Sequence, residues 1–247
     1  MVAFHYPPDH TSSGVLRTLK FSKYMPEFGW DPVVVTVRES CYEKTDPALM
    51  QQVPAGTQVW RTRAINMKET FSVFGKYLRF YTIPDRFVGW LPFAVATGLK
   101  IIRRGGIDVL YPTSPLPTAH LVASILKSWT GIPWVADFRD PWTEPELEPN
   151  PRALLFRLEC YLERHVLLHA DRTIFSTVQL RQYVATRAPA AANGKAVVIP
   201  NGYDEEDFGA FRNCEPDPMP VRFTHTGLVD ESYRSPRRFL EALAELL

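Results

Sequence analysis

Two carboxylates, a guanidinium and an indole stand close together in Val135-Ala136-Asp137-Phe138-Arg139-Asp140-Pro141-Trp142, directly after a short apolar run. Charged side chains are rarely buried without partners, so such a cluster at the end of a strand reads as a site or as a structural ion-pair network. Read as a site, Arg139 pairs with one carboxylate, and the other of Asp137 and Asp140 is left to orient a hydroxyl or accept its proton. Read structurally, Arg139 ties this loop to the helix that follows.

Three further loops carry polar groups of the right kind. In Pro7-Pro8-Asp9-His10-Thr11-Ser12-Ser13-Gly14, Ser12 or Ser13 can cap a helix, and Gly14 lets the backbone approach a ligand. Free N–H groups and the positive end of the helix dipole suit a phosphate there. The segment lacks a GxGxxG fingerprint, and an ordinary N-cap explains it equally well. In Tyr111-Pro112-Thr113-Ser114-Pro115-Leu116-Pro117-Thr118-Ala119-His120, the hydroxyls of Thr113 and Ser114 between rigid prolines suit the wall of a pocket. A proline-rich cap with His120 on a helix face is the structural alternative. The last loop, Ile199-Pro200-Asn201-Gly202-Tyr203-Asp204, opens an acidic, Gly- and Pro-rich passage that reads as an interdomain linker.

The elements that must position these loops are legible as apolar runs alternating with segments of helical period, the pattern of a parallel sheet covered by helices. Strands are predicted at Val2–Tyr6, Pro32–Val37, Gln58–Arg63, Asp108–Tyr111, Trp134–Ala136, Arg172–Ser176 and Ala196–Ile199. Helices are predicted over Val15–Phe28, Pro117–Trp129 and Arg152–His169, the first with Leu16, Leu19, Met25 and Phe28 as its apolar positions. Prolines follow several strand ends, where they stop the strand and stiffen the loop. Ligands of open parallel sheets collect at the carboxyl ends of strands, which is where all four loops fall. Beyond a boundary near residue 200, Val221–Gly227 reads as a strand and Ser235–Leu247 as an amphipathic helix with Phe239, Leu240, Leu243 and Leu246 on one side.

Composition narrows the function classes. The chain has 247 residues, of which 45% are hydrophobic, ample for a buried core. Its 28 basic and 27 acidic residues leave a formal charge of +1, without the basic footprint of a nucleic-acid binder. Cys41, Cys160 and Cys214 are odd in number and have no CxxC spacing, which argues against a disulfide framework or a zinc site and for a reducing cytoplasm. No leader opens the chain, and its longest apolar stretch, Phe87–Leu99, contains Pro92 and falls short of the roughly 20 residues that span a bilayer.

The order of several motifs resembles the family 4 glycosyltransferases of the GT-B fold over almost the whole chain. The motifs are Tyr6-Pro7-Pro8 leading to Ser13-Gly14, Gly131-Ile132-Pro133 before Asp137, Ala170-Asp171 before Ser176, Ile199-Pro200-Asn201-Gly202-Tyr203-Asp204, then Thr226-Gly227 and Tyr233-Arg234-Ser235-Pro236. The resemblance implies an α/β, Rossmann-like acceptor domain over 1–200, a linker over 201–220, and over 221–247 the incomplete start of a donor domain whose two-glutamate motif lies beyond Leu247. It implies transfer of a sugar from a nucleotide sugar, as co-substrate without a cofactor or metal, to a glycan or lipid-linked acceptor with retention, and inactivity of this truncated chain alone. Asp137, Arg139 and Asp140 would then be catalytic, Thr113, Ser114 and Trp142 acceptor-binding, and Ser13, Gly14, Thr226, Gly227 and Arg234 donor-phosphate-binding. A GT-B sugar-nucleotide epimerase or a noncatalytic binding fragment are the alternatives, since fold does not settle chemistry.

Between Met67 and Arg104, Phe71, Phe74, Tyr77, Phe80, Tyr81, Phe87, Trp90 and Phe93 are mixed with Lys68, Lys76, Arg79, Arg86 and Lys100. This composition fits transient peripheral contact with an anionic membrane, or core aromatics beside a solvated charged face.

Overall fold

The computed structural model describes residues 1–72, 75–146, 148, 150, 152–189, 194–211, 222–225, 227, 229 and 235–246. The chain divides into two compact units, Met1–Tyr203 and Asp204–Leu247.

The first unit is a parallel α/β assembly. Helix α1 (Gly14–Tyr24) is followed by β1 (Val33–Val37) and β2 (Gln58–Thr62), a short turn of helix α2 (Met67–Thr70), α3 (Leu91–Ile102) and α4 (Thr118–Thr130). Then come β3 (Val135–Phe138), α5 (Leu154–His169), β4 (Arg172–Phe175), α6 (Val178–Arg187) and β5 (Ala196–Val198). β1 pairs with β2, and β3, β4 and β5 pair in that order, every pair parallel. Gly131 ends α4 in the left-handed conformation at φ 75°, which costs an L side chain but not glycine.

Two predicted strands, Val2–Tyr6 and Asp108–Tyr111, are reduced to isolated bridges. Val2 bridges both Val35 and Pro112, while Leu110 bridges Trp134 and Thr113 bridges Asp137. Proline is the physical reason: Pro112 has no N–H for a ladder, and Pro7-Pro8 stops the first segment. Backbone bonds such as Val2 N–H to Tyr111 O (2.8 Å) and Asp137 N–H to Pro112 O (3.0 Å) still join the two sheets. The resulting order is β2, β1, the Val2 segment, the Leu110–Thr113 segment, β3, β4, β5. Along β3 the pairing runs through Asp137 to Phe138, past the predicted end at Ala136, so Asp137 belongs to the strand itself.

The core gathers Phe4, Val35, Val37, Phe87, Trp90, Ala94, Leu126, Trp134, Phe138 and Phe175 between sheet and helices. The indoles of Trp90 and Trp134 are satisfied: Trp90 donates to the Thr62 hydroxyl (2.7 Å) and Trp134 to the His169 carbonyl (2.8 Å). The predicted apolar stripe of α1 needs correction. Leu16 is 43% and Phe28 78% exposed, whereas Val15, Arg17, Thr18, Leu19 and Ser22 form the buried face. Polar groups can occupy that face because they find partners, as Ser22 does on the Tyr6 hydroxyl (2.9 Å).

The aromatic region divides between interior and surface. Phe87 and Trp90 are core residues, while Phe71, Tyr77, Leu78, Phe80 and Tyr81 are exposed; Phe74 lies outside the described residues. Arg79 pairs with Glu148 and Glu159, and Arg86 with Glu43. Among the described residues no helix is long and apolar enough to cross a membrane. Cys41 and Cys160 are free thiols.

In the second unit, helix Arg237–Leu246 buries none of its residues, and Phe239 meets Phe223 edge to face at 5.2 Å. The predicted strand Val221–Gly227 is not formed over the described residues 222–225. An unpaired strand has no ladder partner to hold it.

Candidate functional site

The carboxyl ends of the parallel strands present the loops at 7–14, 112–117, 138–143 and 199–202, and one buried ion pair joins them. Asp137, on the last turn of the pleat in β3, is fully buried. Its Oδ2 accepts from Arg17 Nε (3.0 Å) and from the Thr113 hydroxyl (2.7 Å), and its Oδ1 accepts from Arg17 Nη2 (2.9 Å). Arg17 reaches this position because it lies on the buried face of α1, one turn after Gly14. Its remaining N–H groups donate to Ile199 O (3.0 Å), Pro200 O (3.1 Å) and Asn201 Oδ1 (3.2 Å), so all five guanidinium donors are used. Burial opposes the charge of Arg17, but the bonds to Asp137 more than offset it and raise its pKa. The Tyr111 hydroxyl, buried beside the pair without a hydrogen bond, has its pKa raised well above the usual value by burial and by the Asp137 charge.

A second guanidinium stands nearer the rim. The Arg139 backbone N–H donates to Ser114 Oγ (2.8 Å) and its carbonyl accepts from Ser176 Oγ (2.7 Å), which fixes the main chain. The side chain then lies over the amino end of α1, where Nη1 donates to Gly14 O. A Cβ at Gly14 would stand 2.9 Å from Arg139 Nη2 and 3.1 Å from Nη1, so glycine is what allows this approach. Burial, helped by the nearby Arg17 charge, lowers the pKa of Arg139. Its Nε is buried without a partner.

Beyond Arg139 the loop is pinned from the other side. Thr143 donates its hydroxyl to the buried Glu163 of α5 and receives Arg187 Nη2 (2.6 Å), while Arg187 Nη1 donates to the Thr143 carbonyl (2.7 Å). Between this loop and α4, His120 stacks on Phe138 at 4.5 Å and lies parallel to Trp142 at 6.5 Å. Neither His120 ring nitrogen has a hydrogen-bond partner, and burial lowers its pKa to about 4, so the ring is neutral. Among the described residues no group of three or more His, Cys, Asp or Glu side chains is arranged to hold a metal ion.

A family model described as the glycosyl transferase 4-like domain matches residues 15–202, which contain the ion pair, Arg139 and the loops at 112–117, 138–143 and 199–202. The chain belongs to the glycosyl transferase 4-like family. The fold of this 4-like domain is similar to that of sucrose-phosphate synthase from Thermosynechococcus elongatus, with TM-score 0.55 and 12% identity over 83% of this chain and 49% of that one. It is also similar to HepE from Anabaena, whose structure is in complex with UDP, with TM-score 0.50 and 17% identity over 83% of this chain and 45% of that one. The chain thus spans about half the length of these solved structures. Among curated proteins none matches significantly. These likenesses show the Rossmann-like GT-B architecture expected from the sequence.

Within the first unit, the structure brings Asp137, Thr113, Ser114, Arg139 and Gly14 into one hydrogen-bonded cluster. The carboxylate partner differs from the expected one: Asp137 is held by Arg17, not by Arg139. Asp137 consequently has no exposed oxygen, whereas Asp140 is exposed. Ser13 is exposed and makes no capping bond; Ser12 Oγ instead accepts from Gly14 N–H (3.1 Å), which leaves that N–H already occupied. Trp142 is half-buried in the loop. Gly227 lies in the second unit, and Thr226 and Arg234 fall outside the described residues. Sequence reasoning missed Arg17. The available signal was a lone arginine between Val15 and Leu19, on the stripe that α1 buries.

Proposed function

We propose that the protein is the acceptor-side portion of a glycosyltransferase that moves a sugar from a nucleotide sugar to a hydroxyl of a glycan or lipid-linked acceptor. The observation that carries this reading is the Arg139 guanidinium, half-buried and held against Gly14 at the amino end of α1, on the ligand-binding edge of a parallel sheet. A guanidinium at that edge stabilises the charge that develops on a leaving diphosphate. Family membership supports transfer as the reaction class, and the likeness to a UDP-bound structure supports a nucleotide sugar as donor.

In this scheme Asp137 is a positioning residue. Its carboxylate holds Arg17, and Arg17 in turn holds Ile199, Pro200 and Asn201, so four loops keep one arrangement. Thr113 and Ser114 orient Asp137 and Arg139, and exposed Asp140 meets the acceptor. The proposed transfer retains anomeric configuration, uses no metal, and takes place at the cytoplasmic face of a membrane. Exposed Leu78, Phe80 and Tyr81 with Lys68 and Lys76 support peripheral contact with an anionic surface there.

The test incubates the full-length protein with radiolabelled UDP- and GDP-sugars and with glycan and lipid extracts, and follows label in the acceptor fraction. Transfer by the wild type that falls at least about 100-fold in Arg139→Ala is the expected result, since loss of one charge-stabilising donor costs roughly 10²–10³ in rate. No transfer from any donor, or equal transfer by the variant, would overturn the reading.

A further inference from the structure

We propose that the polar cavity at the carboxyl ends of β1 and β2 holds a sugar residue of the acceptor that bears no acidic group, an inference that rests on the transferase reading above. The cavity measures about 430 Å³, within the roughly 300–1,000 Å³ of small-molecule sites. One wall is residues 40–43, directly after β1; the other is residues 64–66 with 69 and 70, directly after β2; Phe87 completes the lining. A single residue ties both walls. The Arg86 side chain donates to Glu43 on the first (2.7 Å), and the Arg86 carbonyl accepts from the Met67 N–H beside the second (2.8 Å). Ile65 is seated against Gly89, where a Cβ would stand 2.8 Å from both the Ile65 Cβ and its carbonyl oxygen, so the missing side chain lets this wall lie where it does. The cavity is thus formed before any ligand arrives, as small-molecule sites usually are.

The groups on these walls accept more than they donate. Glu69 Oε1 takes the Asn66 amide (2.8 Å), while Glu69 Oε2, Glu43 Oε2 and the Ser40 hydroxyl have no hydrogen-bond partner among the described residues. Thr70 gives its hydroxyl hydrogen to Asn66 O (2.9 Å), which leaves its oxygen only to accept. Arg86 balances the charge of Glu43, and the charge of Glu69 stays unbalanced. Two carboxylates against one guanidinium repel a phosphate or a uronic acid and attract hydroxyl or ammonium donors. Exposed Ile65 and the edge of Phe87 add apolar surface for the C–H groups of a sugar ring.

Position in the sheet makes this a distal subsite and not the reacting centre. In the order β2, β1, Val2 segment, Leu110–Thr113 segment, β3, strand β1 lies three spacings from β3, about 14 Å. Arg139 and Asp140 follow β3 on the same carboxyl edge. An acceptor that reaches both places is longer than one sugar. The second wall also adjoins the exposed aromatic surface, since Phe71, next after Thr70, stacks on Tyr81 at 4.6 Å. A lipid-linked glycan bound from that side has its inner sugar in the cavity and its outer hydroxyl at Asp140.

Binding is measured first, on an array of neutral, amino-bearing, uronic and phosphorylated oligosaccharides, with no donor present. The wild type should retain neutral or amino-bearing glycans; no bound glycan, or binding led by the acidic ones, would overturn the proposal. Calorimetry with the best-retained glycan then compares two variants at exposed positions, Ser40→Trp, which fills the cavity, and Glu69→Gln, which keeps the side chain's shape. Ser40→Trp should abolish binding, and Glu69→Gln should weaken it at least about tenfold, the loss of a hydrogen bond to a charged group. Glu69→Gln carries the test if Ser40→Trp does not fold, and unchanged affinity in the folded variants would overturn the proposal. In the transfer assay above, Ser40→Trp should raise the acceptor KM more than about tenfold while the donor KM changes less than about threefold, the mark of lost acceptor binding. An unchanged acceptor KM would remove the cavity from the acceptor path. A wild type that transfers no label yet binds neutral glycans in a manner sensitive to Ser40→Trp would instead remove the transferase reading and leave the cavity as a sugar site.

Discussion

Asp137→Ala is expected to destabilise the first unit severely, because it strips the paired carboxylate from a buried guanidinium. The carboxylate takes two bonds from Arg17, at 3.0 and 2.9 Å, and one from Thr113 at 2.7 Å, with no exposed surface on the acid and little on the base to let water substitute. Breaking one side of a buried pair costs about 3–5 kcal/mol. Against a total stability of roughly 5–15 kcal/mol, this is a large fraction. For a unit of this size it lowers the unfolding midpoint by about 6–20 °C. Replacing both partners, Arg17→Met with Asp137→Leu, removes the uncompensated charge and should cost less than the two single changes added together. Circular dichroism melts and urea titrations of the four proteins measure each term. Loss of under about 1 kcal/mol in Asp137→Ala, or strict additivity in the double variant, would refute the claim that this pair holds the loops. The result also decides how activity data are read, since loss of transfer in Asp137→Ala then reports on the loops and not on a base.

His120 makes stability depend on pH. Its folded pKa of about 4 is below the ordinary 6.5, so the stabilisation is complete above pH 6.5 and is lost as pH falls toward 4. The loss amounts to about 3 kcal/mol across that window, and the difference in stability between wild type and His120→Leu, measured by urea titration at several pH values, should shrink or reverse accordingly; a constant difference would contradict the buried neutral ring. Gly14→Ala should displace the Arg139 guanidinium, a flexible group, so the unfolding midpoint should stay within a few degrees, equivalent to about 1 kcal/mol, while transfer falls; unchanged transfer would separate Arg139 placement from function. Flotation with anionic vesicles at low salt should recover the wild type, and Leu78→Glu with Phe80→Glu should abolish recovery. Equal recovery of both proteins would dismiss this surface as the contact.

The alternation of strands and helices, the loops at carboxyl ends and the helices at Pro117–Trp129 and Arg152–His169 were readable because burial between helices imposes apolar runs of characteristic period. The same local logic found Asp137, Arg139, Thr113, Ser114 and Gly14, whose types are unusual beside a strand end. It misjudged the strands at Val2 and Leu110, where hydrogen bonds to neighbours far along the chain set the outcome and proline removed part of the ladder.

What the sequence by itself determined was the layering of the fold and the edge on which chemistry collects. Tertiary structure alone decided which charges pair. Asp137 lies two residues from Arg139 yet binds Arg17, 120 positions away, because strand β3 points the carboxylate toward the face that α1 covers. His5 read as a strand residue and Asp9 as a loop residue until the fold closed the carboxylate in the interior against the imidazole. Periodicity reports how much of a residue is buried; partners depend on which segments the packing brings together, and no local pattern carries that information.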